Sequence, residues 1–471
     1  MPLVAGVDSS TQSCKVAVVD LSTGAVIREG RASHPRGTWV DPDRWWDALM
    51  IAVADAGGLD DVAAIAVSGH GHSTTFIGQD GGSVRDALLW NDTSSHPQVR
   101  ELNDELGADE WIRRTGSRLT LSDTITKVRW LRNNEPENAA RVAAIALPHD
   151  WLTWRLMGGG PGNPDFDLLT TDRSDASGTA YWSPDTDEYC WDLFEMAFGR
   201  RVSLPRVLGP RDRAGVTAAG IPGIPAGVPV GVGSGDNAAA ALALGLDAGD
   251  AVMSLGTSGV VYAHTRSLIH DYTGYVSNYA DATGDFLPRA AAMNASRDID
   301  AAKKVLGCSY RALDALALAA EPGADGLTLL PYFEGERTPD LPHARASLHG
   351  ASLENFTREN FARATIEGML ASQVVLLDSI RACQVPVNRL VLIGGAAKSS
   401  AVQKVLTQLV DVPVLVPRPG EYVAKGAGMQ AAVALTGEFP VWPPRSEQIP
   451  DSPAEPVIMQ QHRAAKDALG Y

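Results

Sequence analysis

The chain has 471 residues, more than one hydrophobic core usually organises, so we expect at least two domains. Apolar residues make up 45% and charged residues 20%, which is an ordinary globular composition. The formal net charge of −16 argues against non-specific binding to nucleic acid or to an anionic membrane, and no uncharged apolar stretch approaches the ~20 residues of a membrane span.

The cysteine pattern and the first residues favour a cytoplasmic protein. The four cysteines are scattered without paired spacing, which is typical of reduced thiols rather than of disulfides or a zinc site. Met1–Ala5 carry no basic region and continue directly into a strand pattern, so no secretory signal is predicted.

Short apolar runs alternate with longer helical patterns, which indicates an α/β fold with largely buried strands. Strands are predicted over 4–7, 16–19, 63–67, 87–90, 228–232, 251–255, 390–393 and 413–416. Helices are predicted over 41–56, 236–244, 358–382, 400–410 and 423–435, and Gly437 should end the last of these. Six prolines between Glu438 and Pro456 predict an irregular connection ahead of a short terminal helix.

The first candidate site follows the first strand. Asp8 ends that strand, Ser10 and Thr11 stand at a bend, and Lys15 enters the next strand. Successive N–H groups and hydroxyls in such a turn bind anions, while Asp8 suits a water-mediated Mg²⁺ contact and Lys15 a phosphate. The alternative is an ordinary polar hairpin in which Asp8 bonds its own turn.

A weak repeat of this hairpin opens the second half of the chain. Gly256, Thr257 and Ser258 again separate two apolar strands and are able to present N–H groups to phosphate, although a plain turn is the alternative. Two such hairpins indicate two related domains. We expect domains at 1–246 and 247–440, followed by a Pro-rich connection and terminal segment at 441–471.

Two strand-to-helix junctions are rich in glycine. Asp236 follows Gly235 at the start of an alanine-rich helix, where it would be either a general base that accepts a hydroxyl proton or a helix N-cap. The second junction lacks the Gly-Lys-Ser/Thr of the common nucleotide loop, yet paired glycines at a helix start suit part of a nucleotide, the alternative being tight packing. Its candidate residues are Gly394, Gly395, Ala396, Lys398 and Ser399.

Two further polar loops follow strands. His70, Gly71 and His72 form one, and Trp90, Asn91 and Asp92 form the other. The i, i+2 histidines lack a spaced partner for a metal, so a loop that rims a pocket is favoured over metal ligation.

In this order the segments resemble the FGGY carbohydrate kinases, and among them the xylulokinases, over nearly the whole chain. The most specific carrier is Gly335-Glu-Arg-Thr-Pro339, and the others are Asp8–Lys15, Leu88–Asp92, Ser174–Gly178, Gly235–Ala239, Ser254–Ser258 and Gly394–Ser399.

The resemblance implies a two-domain actin/hexokinase-type (ribonuclease H-like) fold. A sugar-binding N-terminal domain and a nucleotide-binding C-terminal domain would close over a catalytic cleft. It further implies ATP-dependent phosphorylation of D-xylulose to D-xylulose 5-phosphate, with Asp236 as base and with Asp8 and Asp236 approaching Mg²⁺ through water. Gly71, His72, Trp90, Asn91 and Asp92 would then meet the sugar. The partners are ATP and the sugar, with no nucleic acid or membrane, and a homodimer is left open.

The chain departs from the xylulokinase pattern on the sugar side. His70-Gly71-His72-Ser73 stands where Gln-Met-His-Gly is usual, and Thr93-Ser94 stand where an arginine commonly follows. We therefore expect a roomier, less selective sugar site, with ribulose and pentitol kinases as alternatives. Rivals of other classes are an actin- or chaperone-like ATPase switch, and a silent sugar-binding regulator, which the presence of Asp236 disfavours.

Overall fold

The chain forms two compact units in a computed structural model that describes residues 2–471. The first unit comprises the described residues up to Leu246 together with Asn278–Phe286 and Gly420–Pro444. The second comprises Asp247–Ser277, Leu287–Pro419 and Arg445–Tyr471. Two stretches from the second half of the chain thus lie in the first unit. The assignment of sugar to one half and nucleotide to the other stays a prediction, as does closure over a cleft.

The strands have the following bounds in chain order: β1 Leu3–Ser9, β2 Ser13–Asp20, β3 Val26–Ser33, β4 Trp39–Val40, β5 Val62–Gly69, β6 Thr75–Gly78, β7 Ala87–Leu88, β8 Val142–Ala146, β9 Thr170–Asp172, β10 Trp182–Ser183, β11 Glu188–Tyr189, β12 Arg206–Leu208, β13 Arg213–Val216, β14 Pro229–Gly231, β15 Ser234–Gly235, β16 Asp250–Leu255, β17 Gly259–Ala263, β18 Arg289–Ala292, β19 Thr328–Leu330, β20 Ser347–His349, β21 Arg389–Ile393, β22 Val414–Pro417 and β23 Ser446–Gln448.

The α-helices have the following bounds: α1 Asp43–Asp55, α2 His96–Leu106, α3 Ala108–Thr115, α4 Thr124–Asn134, α5 Pro136–Arg141, α6 Pro148–Leu156, α7 Arg173–Ser177, α8 Trp191–Phe198, α9 Asp236–Leu244, α10 Ser296–Leu306, α11 Tyr310–Ala319, α12 Arg358–Ala382, α13 Ser400–Leu409, α14 Tyr422–Thr436 and α15 Pro456–Ala468. Among residues 2–471, no helix combines the length and the apolar character that crossing a membrane would need.

The main sheet of the first unit has the strand order β13-β14-β5-β1-β2-β3, with β15 also paired to β5. β1 lies antiparallel to β2 and parallel to β5, and β14 and β15 continue parallel to β5. The central strands β1 and β2 are covered by helices and are buried along almost their whole length, whereas the edge strand β3 is largely exposed.

Helix α14 covers one face of this sheet at very short range. A Cβ on Gly6 of β1 would lie 1.9 Å from the Ala424 carbonyl oxygen, and a Cβ on Gly426 would lie 2.0 Å from the Ala239 carbonyl oxygen of α9. Only glycine permits these two contacts, so the sequence specifies that α14 packs backbone to backbone on β1 and α9. Gly437 ends α14 with φ +83°, as predicted.

The main sheet of the second unit repeats the arrangement. Its order is β18-β17-β16-β21-β22-β23, with antiparallel pairing from β18 to β16, parallel pairing from β16 to β22 and an antiparallel β23 at the edge. The predicted hairpins are therefore both present, as β1–β2 and β16–β17, and they occupy equivalent places in the two sheets.

Some predicted elements need correction. The strand predicted over 87–90 ends at Leu88, because its partner β4 has only two residues and the chain turns away at Leu89. The predicted irregular connection contains β23, which pairs with β22, and the terminal helix α15 runs for 13 residues.

Candidate active site

Three parallel strands of the first unit end side by side, and each carries a predicted site residue at or just after its end. Asp8 of β1 is opposite Ser68 of β5, and Ser68 is opposite Ser234 of β15. Neighbouring strands are ~4.8 Å apart. The sheet thus brings Asp8, the loop after Gly69 and Asp236 to one edge, which is where open α/β sheets bind ligands.

The turn after β1 is organised around the Asp8 carboxylate. Ser10 Oγ donates a hydrogen bond to Asp8, and Lys15 Nζ lies 3.8 Å from Asp8 Oδ2 while it also forms an ion pair with Glu421. Burial raises the pKa of Asp8, although Ser10 and Lys15 oppose the shift. Asp8 therefore does bond its own turn, as the polar-hairpin alternative expects. The same turn also keeps the Asp8 carboxylate beside the Lys15 ammonium group, as the phosphate-site prediction expects.

The predicted sugar loops contact each other and this turn. Trp90 N–H donates to Ser73 Oγ at 3.0 Å, and the indole Nε1–H of Trp90 donates to Thr11 Oγ1 at 3.0 Å. Trp90 is 39% exposed, so it bridges two loops while it keeps an accessible face. Asn91 is exposed beside it.

Asp92 organises its own loop. Its carboxylate accepts hydrogen bonds from Thr38 Oγ1 at 2.7 Å, from Trp39 Nε1 at 2.8 Å and from the Ser94 hydroxyl and N–H. Burial would raise the pKa of Asp92, but these donors hold it below its usual range. Asp92 therefore shapes the loop that carries Trp90 and Asn91. The sugar contact expected of Asp92 stays a prediction.

Asp236 begins helix α9, and the N-cap position belongs to Gly235. No side chain caps this helix, so the structure does not support the N-cap alternative for Asp236. Asn237 Nδ2 donates to Asp236 Oδ1 at 2.8 Å, and the preceding Gly235 N–H donates to Ser174 Oγ at 3.0 Å. Asp236 is half-buried, which suits a carboxylate that must accept a proton from a ligand.

The structure places the two residues expected to open the sugar site differently. His70 is 1% exposed, stacks edge-on against Trp45 with ring centroids 5.5 Å apart, and bonds Ser73 Oγ at 2.8 Å, so it belongs to the core. A Cβ on Gly71 would lie 3.0 Å from Asp175 Oδ1. No other non-neighbouring heavy atom of the described chain lies within 4 Å of such a Cβ, so the expectation of a roomier sugar site beside Gly71 stays a prediction.

Sequence reasoning assigned no role to the Asp175 carboxylate, although Ser174–Gly178 was among the segments that carry the family resemblance. Asp175 Oδ2 accepts a hydrogen bond from His149 Nδ1 at 2.6 Å, and a Cβ on Gly235 would lie 2.8 Å from Asp175 Oδ1. Asp175 thus lies between Gly71 of the sugar loop and Gly235, the residue before Asp236. The sequence does offer one signal for the partner of Asp175: His149 lies in the run Pro148-His149-Asp150, which begins α6 directly after β8.

His149, Asp150 and Asp175 offer ligand-type atoms that lie within 4.8 Å of one another. Burial lowers the pKa of His149, but the carboxylates of Asp150 and Asp175 outweigh it and raise the pKa to about 10. In the structure His149 Nδ1 lies 2.6 Å from Asp175 Oδ2 and 3.3 Å from Asp150 Oδ1, so the imidazole is paired with both buried carboxylates. Burial also raises the pKa of Asp150.

In the second unit the predicted nucleotide residues lie at the matching edge of the sheet. Gly256, Thr257 and Ser258 form the turn after β16, and Thr257 and Ser258 are exposed. Gly394 follows the neighbouring β21 at φ +96°, where a Cβ would lie 2.5 Å from the Leu255 carbonyl oxygen.

The rest of the second junction divides between exposed and structural residues. Gly394, Gly395 and Lys398 are exposed, whereas Ala396 is buried. Ser399 accepts the Val402 N–H as N-cap of α13 and donates to Asp314 Oδ1 at 2.6 Å. Packing thus accounts for Ala396 and Ser399, the backbone conformation requires glycine at 394, and Gly394, Gly395 and Lys398 remain accessible.

Comparisons with known proteins agree with this arrangement. The model of the FGGY family of carbohydrate kinases matches residues 3–243 with its N-terminal domain and residues 251–435 with its C-terminal domain. A xylulose kinase of Streptomyces coelicolor is 44% identical over 446 residues, which cover 93% of this chain and 89% of that protein.

Solved structures show the same fold. The xylulose kinase of Bifidobacterium adolescentis has a TM-score of 0.93 and 44% identity, covering 99% of both chains. The glycerol kinase of Plasmodium falciparum has a TM-score of 0.89 at 17% identity, covering 100% of this chain and 98% of that one, and it supports the fold alone. The predicted family and the predicted two-domain α/β fold are confirmed.

Proposed function

This chain belongs to the FGGY family of carbohydrate kinases, and we propose that it transfers the γ-phosphoryl group of ATP to a hydroxyl of D-xylulose, giving D-xylulose 5-phosphate. The observation that carries the proposal is the register of β1, β5 and β15, which aligns Asp8, the His72 loop and Asp236 at one sheet edge. The choice of D-xylulose is supported by relatives named xylulose kinase at 44% identity.

Asp236 is the proposed general base. Its half-buried carboxylate begins α9 directly after a strand end, and its backbone is anchored by the bond from Gly235 N–H to Ser174 Oγ. Phosphoryl transfer depends mainly on positioning and electrostatic stabilisation, with the base accepting the hydroxyl proton as the new P–O bond forms. A positioned base contributes typically ~10²–10⁴-fold to the rate.

Asp8, Ser10, Thr11 and Lys15 are the proposed phosphate-side residues of the first unit. The donor set around Asp8 consists of a buried carboxylate and a hydroxyl, oxygen ligands of the kind that Mg²⁺ prefers, so it fits a hydrated Mg²⁺ held by Asp8 and Asp236 through water. Bound with ATP, the ion would neutralise charge on the β- and γ-phosphates. Lys15 has Asp8 and Glu421 as partners, and phosphate oxygens would compete for the same ammonium group.

The sugar would meet the accessible parts of the two loops, namely the Trp90 face, Asn91, the Gly71 backbone and the His72 ring. Asp92 has a mainly structural part in this proposal, because its two carboxylate oxygens are already occupied by Thr38, Trp39 and Ser94.

For the nucleotide we propose the turn Gly256–Ser258 and the exposed part of the second junction, which consists of Gly394, Gly395 and Lys398. Glycine at 394 and the small Ala396 keep the strand-to-helix turn tight, while Ser399 and Asp314 already bond the first N–H groups of α13.

The test is an ADP-release assay with the purified full chain, ATP and Mg²⁺ over D-xylulose, ribulose, arabinitol and glycerol, with a control that contains no sugar. We expect the highest kcat/KM with D-xylulose and little ADP without sugar. A higher kcat/KM with ribulose or arabinitol would show that this sugar or polyol, and not D-xylulose, is the substrate of the kinase. Equal ADP release without any sugar would favour the ATPase-switch alternative and refute the kinase proposal.

A further inference from the structure

The imidazole of His72 is held at an unusual backbone position. His72 has φ +66°, and the Ser73 N–H donates to the Gly71 carbonyl oxygen at 2.8 Å, so His72 is the central residue of a three-residue turn. Such turns are rare for residues other than glycine because the left-handed region brings Cβ close to the backbone. A conformation of this kind persists only where its surroundings hold it, and it commonly marks a functional position.

The neighbours of His72 fix both its backbone and its ring. Thr124 Oγ1 donates to the His72 carbonyl oxygen at 3.2 Å, and the ring packs edge-on against Tyr279 with centroids 5.9 Å apart. The ring also lies against Gly178, where a Cβ would be 2.9 Å from Cε1 of His72. The ring therefore has little freedom to rotate.

His72 Nδ1 faces two acceptors. It lies 2.8 Å from the Gly178 carbonyl oxygen and 3.5 Å from Asp123 Oδ1. A carbonyl oxygen and a carboxylate accept hydrogen bonds and do not donate them, so the proton must be on Nδ1. Nε2 is then the nitrogen with a lone pair in the neutral ring.

Asp123 is built to stay in this place as an anion. It stands at the N-cap of α4, and its other oxygen, Oδ2, accepts from the Thr120 N–H at 2.6 Å and from the Thr120 hydroxyl at 3.0 Å. Burial would raise the pKa of Asp123, but the His72 ring and the Thr120 donors hold it below its usual range. Lys127 Nζ bonds the carbonyl oxygens of Leu121 and Ser122 at 2.9 and 2.7 Å, which fixes the turn that carries Asp123.

We propose that Asp123 is a positioning residue for sugar recognition: its carboxylate, with the Gly178 carbonyl, keeps the proton on His72 Nδ1 and turns Nε2 toward a sugar hydroxyl. This inference rests on the proposed function, because it takes His72 as the sugar-binding histidine. A carboxylate behind an imidazole fixes its tautomer and orientation and strengthens the opposite nitrogen as an acceptor. The ligand class is a polyhydroxylated sugar whose hydroxyl donates to Nε2.

The first measurement is kinetic. Asp123→Asn should raise KM for the best sugar by about 10-fold, with KM for ATP unchanged; in metal sites, carboxylate partners of histidines contribute about 10- to 100-fold, and we expect the lower end for a sugar. The matched control is Asp20→Asn, since Asp20 is another buried turn-organising carboxylate, with the N–H groups of Ser22 and Thr23 at 2.9 Å and no histidine partner. An equal rise in both sugar and ATP KM would show a merely structural role.

A double-mutant cycle then asks whether Asp123 acts through His72. In a His72→Asn background, Asp123→Asn should cause little further rise in sugar KM, because coupled residues do not contribute independently. Fully multiplicative effects of the two substitutions would overturn the proposal.

The last measurement needs no sugar and is made on the wild-type chain, with one variant used only to assign the signal. Nitrogen-15 NMR of the full wild-type chain, under conditions that leave the ring neutral and with His72→Asn for assignment, should show the Nδ1-protonated tautomer for His72. The Nε2-protonated tautomer would overturn the proposal even if the variants fold poorly. A wild type that phosphorylates no sugar would instead refute the proposed function. The tautomer would still show whether Asp123 and Gly178 keep the proton on Nδ1 of His72.

Discussion

The two main sheets share one strand order, and the turns at their ligand-facing edges differ in chemistry. In the first sheet these turns carry or contact ionisable groups that are buried and paired, including Asp8, Asp123 and Asp175. In the second sheet the turns after β16 and β21 consist of small residues and one exposed Lys398, and Thr257, Ser258 and Gly395 are open. One scaffold thus supports two kinds of site.

The difference follows from what each edge is expected to do. Proton transfer and sugar recognition need side chains whose orientation and charge are fixed, and buried charges persist only where they are paired or hydrogen-bonded. Phosphate and adenosine groups are satisfied by backbone N–H groups, which need close approach and small residues. Substitutions should therefore act through charge at the first edge and through backbone space at the second.

The largest expected effect is at the first edge. Asp236→Asn keeps the shape of the side chain but removes the base, so turnover should fall by at least ~10²-fold while nucleotide affinity is nearly unchanged. Turnover with the preferred sugar and nucleotide binding by calorimetry provide the comparison. Asp212→Asn is a suitable control, because Asp212 lies on the same unit and only accepts the Gly209 N–H in a turn. Retention of more than a tenth of the wild-type turnover would remove Asp236 from catalysis.

A smaller effect is expected for the metal-side carboxylate. Asp8→Ala removes the acceptor for Ser10 and one partner of Lys15, and it should raise the Mg²⁺ concentration for half-maximal activity by roughly 10-fold. Glu421→Gln serves as control, because it weakens the other partner of Lys15 while the Asp8 carboxylate stays in place. Superimposable Mg²⁺ titrations of the wild type and Asp8→Ala would contradict the assignment.

The second edge should respond to backbone space. Gly394→Ala places a Cβ 2.5 Å from the Leu255 carbonyl oxygen at a positive φ, so the junction must shift and KM for ATP should rise several-fold, with sugar KM unaffected. At the adjacent Gly395 nothing lies within 4 Å of an added Cβ, so Gly395→Ala should leave the fold intact and is the matched control. Equal ATP KM values for the wild type and both variants would place the nucleotide elsewhere.

The smallest effect on activity is expected from a core histidine of the first edge. Burial lowers the pKa of His70 from 6.5 to about 3, with smaller contributions from His34 and His72. Between these values the unfolded chain binds a proton that the folded chain does not, so stability falls as the pH decreases from 6.5 toward 3, by up to about 1.4 kcal/mol per pH unit.

His70→Gln should therefore reduce the loss in urea midpoint between about pH 7 and about pH 5. His96→Gln, at an exposed histidine, should leave that loss as it is in the wild type. Identical pH dependence of the wild type and His70→Gln would mean that His70 does not contribute to acid sensitivity.

Local elements were predictable because their signals are local. The helices predicted over 236–244 and 358–382 have the observed bounds, and the first two strands contain their predicted cores. Hydrophobic periodicity and the glycine stops determine these elements within short windows of sequence.

Partners that are distant in sequence were not predictable from those windows. The pairing of Lys15 with Glu421 and of His149 with Asp175 arises only when the sheet forms and α14 packs on it. The core position of His70 was not predictable for the same reason, since its contact with Trp45 is not visible in the local sequence.

The return of α14 to the first unit has a consequence for synthesis on the ribosome. Gly6 and the Asp236 helix both receive their backbone contacts from residues 424–428, near the end of the chain. The N-terminal half therefore leaves the ribosome with one face of its sheet uncovered. That face stays uncovered until α14, near the end of the chain, has been synthesised. Premature termination before residue 422 would yield a product with β1 and α9 exposed, a natural target for chaperones and proteases.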